Sequence, residues 1–402
     1  MDVEKATALI IPELKEAWQH AWHILSRKHL DTLNIVSPER YATRALSPHD
    51  IKKLLDHKII SYFDKSQAKA YLNVFTVLEE IKKRRRLILE PVEINEAILY
   101  AGEIHLPSLE ELESATVKHP GALCLDFDAY FNAFLLPRDA RAFFCFLYTF
   151  DDGSTGCFAL NVIATGQRIC PSLAQALSRS IATRLEERFP NTIDVNVYLD
   201  NLRILGEEWS ATNAWHCLLE ILEDVGIKAT LDSPWQQTYD YIGIKFSHCT
   251  ASNGPSVQVA RKTLDKIGKP QVLTTMRDVL STFGKLLFGA RVLGIPLAKH
   301  YYLFKFLRRR SYRHLDDAAE PWAAVYDSIN SLRQDILANP PRLLQAKSDS
   351  SDTPIVAFTD SSLDGWGAVL FHGTMIDVFA AEEDIQILEA RAALKLQGSR
   401  ML

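Results

Sequence analysis

The chain has 402 residues, of which 47% are hydrophobic and 24% charged, and its formal net charge at pH 7 is −5. This composition is typical of a globular protein of several domains and excludes a charge-rich disordered chain. The weakly acidic net charge excludes a protein that is basic over its whole surface, as a nucleic-acid coat protein would be. It does not exclude a basic groove, because local clusters of charged residues set the local electrostatic potential. Without an apolar run of about 18 residues or a signal-peptide core, we expect an intracellular protein, nuclear or cytoplasmic, with no membrane partner.

The first part of the chain is predicted to be helical. Apolar residues recur at intervals of four: Ile10, Leu14, Trp18 and Trp22. This spacing predicts helix over residues 1–35. His20 and His23 lie in this stretch, but a third ligand is absent from the nearby sequence, which favours a solvated helix face over a metal site. A further helical stretch is predicted over 47–80, beginning at Ser47 as N-cap.

Short runs rich in aromatic and β-branched residues then predict strands. These strands are expected at 87–89, 122–125, 142–150, 157–163, 193–205 and 239–246, with a hairpin turn at 151–156. Helices are predicted at 172–188, 211–225 and over most of 259–340. A polar linker at 341–353 precedes strands at 355–360 and 366–371 and a helix at 384–397. The six cysteines form no C-x-x-C pair, so they are predicted to be buried free thiols rather than zinc ligands.

Two aspartates directly follow apolar strands. Asp126 follows Leu123-Cys124-Leu125, and Asp200 follows the apolar run at 195–199. Carboxylates at the ends of adjacent strands can hold a pair of Mg²⁺ ions for in-line phosphoryl transfer, because Mg²⁺ prefers hard oxygen ligands. For a single aspartate after a strand, the alternative is a turn former.

Five short motifs follow one another over about residues 80–250. They are Arg86 to Asn95, Asp126 with Tyr130-Phe131, Gly166 to Pro171 with Gln175, Tyr198-Leu199-Asp200-Asn201, and Tyr241-Ile242-Gly243. In this order and spacing they resemble the fingers strand, the first palm motif, the G-x-x-x-x-P-x-x-x-Q motif, the Tyr-x-Asp-Asp motif and the primer grip of a retroelement reverse transcriptase.

The resemblance implies an α+β right-hand polymerase of fingers, palm and thumb, followed by a partial ribonuclease H-like α/β fragment. The domains would be an N-terminal helical segment (1–45), fingers (46–118), palm (119–250), helical thumb and connection (251–340), linker (341–353) and fragment (354–402). It also implies an RNA-directed DNA polymerase that uses Mg²⁺ or Mn²⁺. The partners would be an RNA template, an RNA/DNA hybrid and deoxynucleoside triphosphates.

The resemblance also gives roles to single residues. Asp126 and Asp200 would bind metal, with Asn201 completing the catalytic set. Arg86, with Lys82 or Lys83, would contact the incoming triphosphate, since cations neutralise the charge on the transferring phosphates.

Further roles concern the base pair and the primer. Phe131 would be the aromatic gate against a ribose 2′-hydroxyl, with Tyr130 as its rival. Gly166 would let the backbone approach the templating pair, and Gln167 or Gln175 would support the nascent base pair. The primer grip would be Tyr241, Ile242 and Gly243.

The sequence departs from the family pattern at several positions. Asn201 replaces the second aspartate of the usual pair, which removes one negative charge from the site. Thr165 stands where a Gln often precedes the Gly, and the lysine expected near 232–234 is absent, with Lys228 the nearest substitute. The alternative function is therefore a vestigial, catalytically weak or inactive polymerase-like protein that binds nucleic acid.

Two basic segments are candidate nucleic-acid contacts. Residues 82–86 are five consecutive cations, for which a solvated or nuclear-localisation-like run is the alternative. Residues 300–313 interleave aromatic and basic residues, which suits a surface that follows a nucleic-acid strand. A core-facing helix with a charged outer face is an equally weighted alternative there. Residues 275–286 resemble the thumb helix of the family.

The C-terminal part resembles the start of a ribonuclease H domain. Residues 358–369 are similar to its first hairpin and 387–394 to the helix that carries its second acidic ligand, so Asp360 and Glu389 would share a metal. With two of four carboxylates, ribonuclease H activity is not expected. The motif details are most similar to tyrosine-recombinase retroelements of the DIRS and VIPER type.

Overall fold

The computed structural model describes residues 1–43, 45–79, 84–99, 104–248, 254–309, 314–345, 355–362, 365–372 and 375–381. The chain divides into two compact units, Met1–Ala346 and Lys347–Leu402. No described helix combines the length and the hydropathy that a membrane-spanning helix needs. The cysteine prediction is confirmed for Cys124, Cys145, Cys157 and Cys170, which are buried free thiols.

The described part of the first unit begins with a group of helices, continues with strands mixed with helices, and ends with a second group of helices and a short strand. The helices are α1 (Val3–Leu9), α2 (Lys15–Ile24), α3 (Arg27–Thr32), α4 (Pro48–Asp56), α5 (Val92–Ala97), α6 (Leu109–Lys118), α7 (Tyr130–Ala133), α8 (Cys170–Arg188), α9 (Glu208–Val225), α10 (Arg261–Gly268), α11 (Met276–Leu293), α12 (Tyr301–Arg309) and α13 (Ala323–Ala338). The strands are β1 (Ile60–Tyr62), β2 (Asn73–Glu79), β3 (Arg84–Glu90), β4 (Ala122–Phe127), β5 (Cys145–Thr149), β6 (Thr155–Leu160), β7 (Ile193–Tyr198), β8 (Asn201–Gly206), β9 (Ala229–Gln236), β10 (Thr238–Tyr241), β11 (Ile244–Ser247), β12 (Ser256–Val259) and β13 (Arg342–Leu343).

The strands of the first unit form four antiparallel groups. The central sheet has the order β7-β8-β4-β9, and α8 and α9 cover it. A second sheet, β1-β6-β5, contains the predicted hairpin, with Asp151–Ser154 between β5 and β6. The remaining groups are the β2-β3 ribbon and the sheet β10-β11-β12-β13, against which α10 and α11 pack.

The N-terminal segment is three short helices rather than one long helix. Pro12 lies in a 3₁₀ turn between α1 and α2, and Ser26 caps α3. Proline has no N–H for a helix interior, so the long predicted helix is interrupted. Helix α1 packs on α8 and α9, α2 packs on α8, and Ile11 N donates to Ser180 Oγ at 3.2 Å. The segment therefore belongs to the main hydrophobic core.

Replacement of Trp18 by alanine is expected to lower the free energy of unfolding by about 3–5 kcal/mol, the cost of emptying a buried aromatic site. Trp18 is 2% exposed, and its indole N–H donates to Thr7 Oγ1 at 3.1 Å. Trp209 is 75% exposed, so Trp209→Ala is the matched control, with an expected change within about 0.5 kcal/mol. Equal losses of unfolding free energy in the two variants, measured by urea unfolding, would contradict the packing of the N-terminal segment in the main hydrophobic core.

The helix predicted over 47–80 is wrong beyond residue 56. Its start is confirmed, because Ser47 and Asp50 form a capping box at α4. After β1, the segment Asn73–Glu79 forms β2 and pairs with β3 in the register Val77↔Arg86. Its Val-Phe-Thr-Val run has β-branched and aromatic side chains, which favour a strand over a helix.

Three other predictions are corrected. The strand predicted at 142–150 begins only at Cys145, because Arg138–Phe143 is a 3₁₀ helix. The single strand predicted at 239–246 is a hairpin, because β10 and β11 reverse at 242–243. Within the predicted linker 341–353, Arg342–Leu343 forms β13 on β12, and residues 346–354 lie outside the described part.

The described residues of the second unit form a three-stranded antiparallel meander. Its strands are β14 (Ile355–Ser362), β15 (Gly365–His372) and β16 (Met375–Ala381), in that order. The two predicted strands are confirmed, and the third was not predicted. Asp360 lies on β14 opposite Gly367. Glu389 and the helix predicted at 384–397 lie outside the described residues.

Candidate functional site

The Tyr-Leu-Asp-Asn motif forms the turn of the β7-β8 hairpin. Tyr198 pairs with Asn201, which leaves Leu199 and Asp200 as the two turn residues. Leu199 has φ +58°, in the left-handed region that two-residue hairpins require at this position. An L-residue with a large side chain is strained there, so the surrounding contacts must hold the turn. The turn presents Asp200 at the end of the central sheet.

The turn brings Asp200 beside Asp126. Asp126 is the cross-strand partner of Asn201 in the β4-β8 pair, and the Phe127 amide donates to the Asp200 carbonyl at 2.9 Å. The Asn201 side-chain amide in turn donates to Asp200 Oδ1 at 2.9 Å. Because directly opposed residues lie close together across antiparallel strands and Asp200 immediately precedes Asn201, both aspartates lie at one end of the sheet. The Oδ1 atom of Asp126 is buried there.

Opposing effects act on the ionisation of Asp200. Burial raises the pKa of Asp200, and hydrogen bonds from its own backbone and from Asn201, together with the charge of Arg86, act in the opposite direction. Arg86, an exposed residue on β3, is therefore within electrostatic range of the turn. The β2-β3 ribbon thus places a cation near the carboxylates.

Burial raises the pKa of Asp200, so we expect a metal held by this carboxylate to be sensitive to acid. A carboxylate must lose its proton to bind a metal, so we expect Mn²⁺ affinity to fall, as the pH is lowered, at a higher pH than for an ordinary aspartate. Asn201→Ala removes a hydrogen bond that favours the ionised form of Asp200. The pH at which Mn²⁺ affinity falls should therefore be higher still in this variant. Mn²⁺ titration at a series of pH values measures both. A pH dependence of Mn²⁺ affinity that Asn201→Ala leaves unchanged would contradict the role of Asp200 as a metal ligand.

The chemistry of the donor set fits a hard divalent cation. Asp126 and Asp200 offer carboxylate oxygens, the ligands that Mg²⁺ prefers, and substrate phosphates and water complete such a shell. Within the described ranges, no group of three or more His, Cys, Asp or Glu residues is placed to hold a metal ion. The candidate site therefore has two carboxylate ligands from the protein, and neutral Asn201 lies where a third carboxylate would add charge.

Side chains of helix α8 form hydrogen bonds to the backbone of the strained turn. The Gln175 Oε1 atom accepts from Leu199 N at 2.8 Å, and Ser178 Oγ donates to the Leu199 carbonyl at 2.7 Å. Gln175 Nε2 also donates to the carbonyls of Val197 and His105. With 3% of its surface exposed, Gln175 bonds backbone groups of the protein, which makes it a positioning residue for the turn. Its contact with a base pair stays a prediction.

Ser178 is a residue that sequence reasoning missed. It lies three positions after Gln175, on the same face of α8, and this i, i+3 spacing is the signal that could have found it.

Gln175→Leu is expected to cost about 1–3 kcal/mol, because buried hydrogen-bonding groups at the turn lose their partner. Gln167→Leu is a matched control, since Gln167 is also buried, and neither of its side-chain polar atoms has a hydrogen-bond partner among the described residues. That substitution should be neutral or stabilising. Urea unfolding and hydrogen exchange at the Leu199 amide measure the difference, and equal losses for the two variants would contradict the positioning role.

Packing distinguishes the two aromatic candidates after Asp126. Tyr130 is 1% exposed, and its hydroxyl lies 3.1 Å from the Ala174 carbonyl and 2.9 Å from Ser178 Oγ, within hydrogen-bonding distance of both. Phe131 is only partly buried. Tyr130 therefore supports α8 from the core, and Phe131 is the ring that a nucleotide could reach.

Gly166 lies against the end of β3. Its amide donates to the Leu89 carbonyl at 3.0 Å, and an added Cβ would lie 2.7 Å from that oxygen. The Asn95 side chain bridges this loop, donating to the Gly166 carbonyl and accepting from Arg168 N, both at 2.8 Å. The close approach that requires glycine is therefore to β3. The predicted approach to a templating pair stays a prediction.

The Tyr241-Ile242-Gly243 motif forms the turn of the β10-β11 hairpin. Ile242 and Gly243 both have positive φ, +44° and +87°. The Tyr241 hydroxyl donates to the Asn201 carbonyl at 3.0 Å, so this hairpin supports the strand that carries Asn201. Lys82 and Lys83, the other predicted phosphate contacts, lie outside the described residues.

Comparison with solved structures places the chain in a known fold. It is similar to a foamy viral protease-reverse transcriptase dRH in complex with double-stranded DNA, with a TM-score of 0.60 and 13% identity over 91% of this chain and 62% of that one. A second foamy viral protease-reverse transcriptase, also with double-stranded DNA, gives 0.59, 13%, 91% and 74%. No protein-family model and no curated protein matches the sequence. The chain has a reverse transcriptase-like fold of mixed helices and sheets, and it spans 62% of the first of these structures.

Proposed function

We propose that the chain is the RNA-directed DNA polymerase of a retrotransposon. The observation that carries the proposal is the meeting of Asp126 with the Asp200-Asn201 turn at one end of an antiparallel sheet. The reaction is attack of a primer 3′-hydroxyl on the α-phosphorus of a deoxynucleoside triphosphate, with release of pyrophosphate. RNA is the template, and the product is an RNA/DNA hybrid.

In this proposal the central sheet is the palm, the β2-β3 ribbon belongs to the fingers and α10–α13 form the thumb and connection. The sheet β14-β15-β16 is the start of a ribonuclease H-like domain that carries Asp360. The lineage is the tyrosine-recombinase type similar to DIRS and VIPER elements. The double-stranded DNA in the two similar structures supports a nucleic-acid duplex as the ligand of this fold.

Each residue of the site has a part in the proposed reaction. Asp126 and Asp200 hold Mg²⁺ or Mn²⁺, which supplies a lower pKa for the primer hydroxyl and charge neutralisation at the leaving pyrophosphate. Asn201 favours the ionised form of Asp200 through its amide hydrogen bond. Arg86, with Lys82 or Lys83, neutralises the triphosphate.

Other residues position the turn and the nucleotide. Gln175 and Ser178 fix the turn on α8. Phe131 selects against the ribose 2′-hydroxyl by steric exclusion.

A second candidate function is binding of nucleic acid without catalysis, and neutral Asn201 is the observation that favours it. The two functions differ in one assay. A primer annealed to an RNA template is incubated with the full chain, Mg²⁺ and deoxynucleoside triphosphates, with EDTA and with ribonucleotides as controls. The polymerase proposal expects extension that EDTA abolishes and that ribonucleotides do not support. Tight binding of the primer–template without any extension would overturn it in favour of the second candidate.

A further inference from the structure

The outer face of α12 is a surface that the proposed reaction does not use. This face consists of Tyr301, Tyr302, Lys305, Arg308 and Arg309. Leu303 and Phe306 point the other way and are 3% and 2% exposed in the core of the helical layer. The segment therefore has both features foreseen from the sequence, a core-facing side and a charged, aromatic outer side.

The two tyrosines of the outer face are unusually accessible. Tyr301 is 57% and Tyr302 46% exposed, and their ring centroids are 6.0 Å apart. The Lys305 ammonium lies 5.5 Å from the Tyr301 centroid and 5.8 Å from the Tyr302 centroid. Cation–π contact with Lys305 holds the pair together, and much of each ring surface stays open to solvent.

The charge of the outer face points to an anionic ligand. Lys305, Arg308 and Arg309 follow the tyrosines at helical spacing, and the α12 sequence contains no acidic residue. Among the residues that the structure describes, none of these three cations forms an ion pair. Lys305 lies one turn and Arg308 and Arg309 two turns beyond the two open rings. This arrangement suits a strand whose bases stack and whose phosphates run along the helix.

We propose that the outer face of α12 binds single-stranded RNA by stacking unpaired bases on Tyr301 and Tyr302. Bases in a duplex are already stacked on one another and cannot offer a free face to these rings, whereas unpaired bases can. The inference rests on the proposed function only for the choice of strand, because an RNA-templated reaction requires unpaired RNA.

The test is a binding measurement on the full chain with a labelled oligouridylate and a blunt RNA–DNA duplex of equal length. The double variant Tyr301→Ser/Tyr302→Ser removes the rings and keeps the charge. We expect its affinity for oligouridylate to fall by about tenfold or more. The salt dependence should not change, since the same cations remain. Duplex affinity should change by less than about twofold, because duplex binding depends chiefly on phosphate contacts.

Two controls make the result specific. Trp209→Ser removes an exposed aromatic ring from α9 and should leave oligouridylate affinity unchanged. Arg308→Ala/Arg309→Ala should weaken oligouridylate binding and reduce its salt dependence. Unchanged oligouridylate affinity in the tyrosine variant, an equal loss for the duplex, or a preference for oligothymidylate over oligouridylate would each overturn the proposal.

The outcome is independent of the polymerase assay. Primer extension by the wild type, together with unchanged oligouridylate binding by the tyrosine variant, would overturn this inference and leave the polymerase proposal standing. No primer extension by the wild type, together with a loss of oligouridylate binding in the tyrosine variant, would overturn the polymerase proposal and leave this inference standing.

Discussion

Replacement of Asp126 by asparagine is expected to reduce Mg²⁺-dependent primer extension by at least about a thousandfold. The substitution keeps the size of the side chain but removes one of the two carboxylates proposed as metal ligands. A bound divalent ion contributes several kcal/mol of charge stabilisation, and each 1.36 kcal/mol is a factor of ten in rate. With neutral Asn201 in the neighbouring position, the protein has little remaining charge to compensate for the loss.

Asp128→Asn is the matched control for that experiment. Asp128 lies two residues further along, is exposed, and accepts a hydrogen bond from Thr230 Oγ1 at 2.7 Å. The same change of charge there should alter the extension rate by less than about threefold, since an exposed charge is screened by solvent and salt. Equal losses in the two variants would mean that overall charge matters rather than a metal ligand.

Replacement of Arg203 by alanine is expected to lower the free energy of unfolding by about 3–5 kcal/mol. Arg203 is completely buried on β8, two residues after Asn201. Its guanidinium donates to Asn196 Oδ1, Thr116 Oγ1, the Tyr239 hydroxyl and the Leu112 carbonyl.

The environment of Arg203 explains how an unpaired cation can be buried. No carboxylate among the described residues contacts it, but it lies over the rings of Tyr239, Tyr241 and Phe246, the last at 4.3 Å from the centroid. Hydrogen bonds and ring contacts together offset the cost of removing the charge from water. Truncation leaves both a cavity and several unsatisfied acceptors.

Arg203→Met separates the cavity from the lost hydrogen bonds. Methionine fills much of the space, so its cost should be about 1–3 kcal/mol, less than that of alanine. Urea unfolding of the two variants measures the difference. A methionine variant at least as stable as the wild type would show that the buried charge is merely tolerated by the fold.

The strands of the site could be predicted from the sequence because they depend on local pattern, but their ends could not, since the single strand predicted over 193–205 is the β7-β8 hairpin. The apolar run before Asp126 predicts a strand that stops at the carboxylate, whereas β4 continues to Phe127. Tyr198-Leu199-Asp200-Asn201 was singled out by its resemblance to a known motif, and its catalytic role stays a prediction. The helix over 172–188 was also predicted, and the structure extends it by two residues at its start.

What could not be predicted depends on contacts between distant parts of the chain. Gln175 looked like a contact to a base pair because nothing local shows that α8 lies beneath the β7-β8 turn. Tyr130 and Phe131 could not be distinguished by register, since only packing against α8 buries one of them. The helix predicted over 47–80 was wrong because β2 is stabilised by its pairing with β3.

In the proposed site, Asp126 and Asp200 share a divalent metal. The most direct measurement is anomalous scattering from crystals of the full chain soaked with Mn²⁺. We predict a peak in contact with carboxylate oxygens of both residues, which disappears in Asp126→Asn crystals. Carboxylates that point away from each other, or a peak bound to only one of them, would contradict the claim.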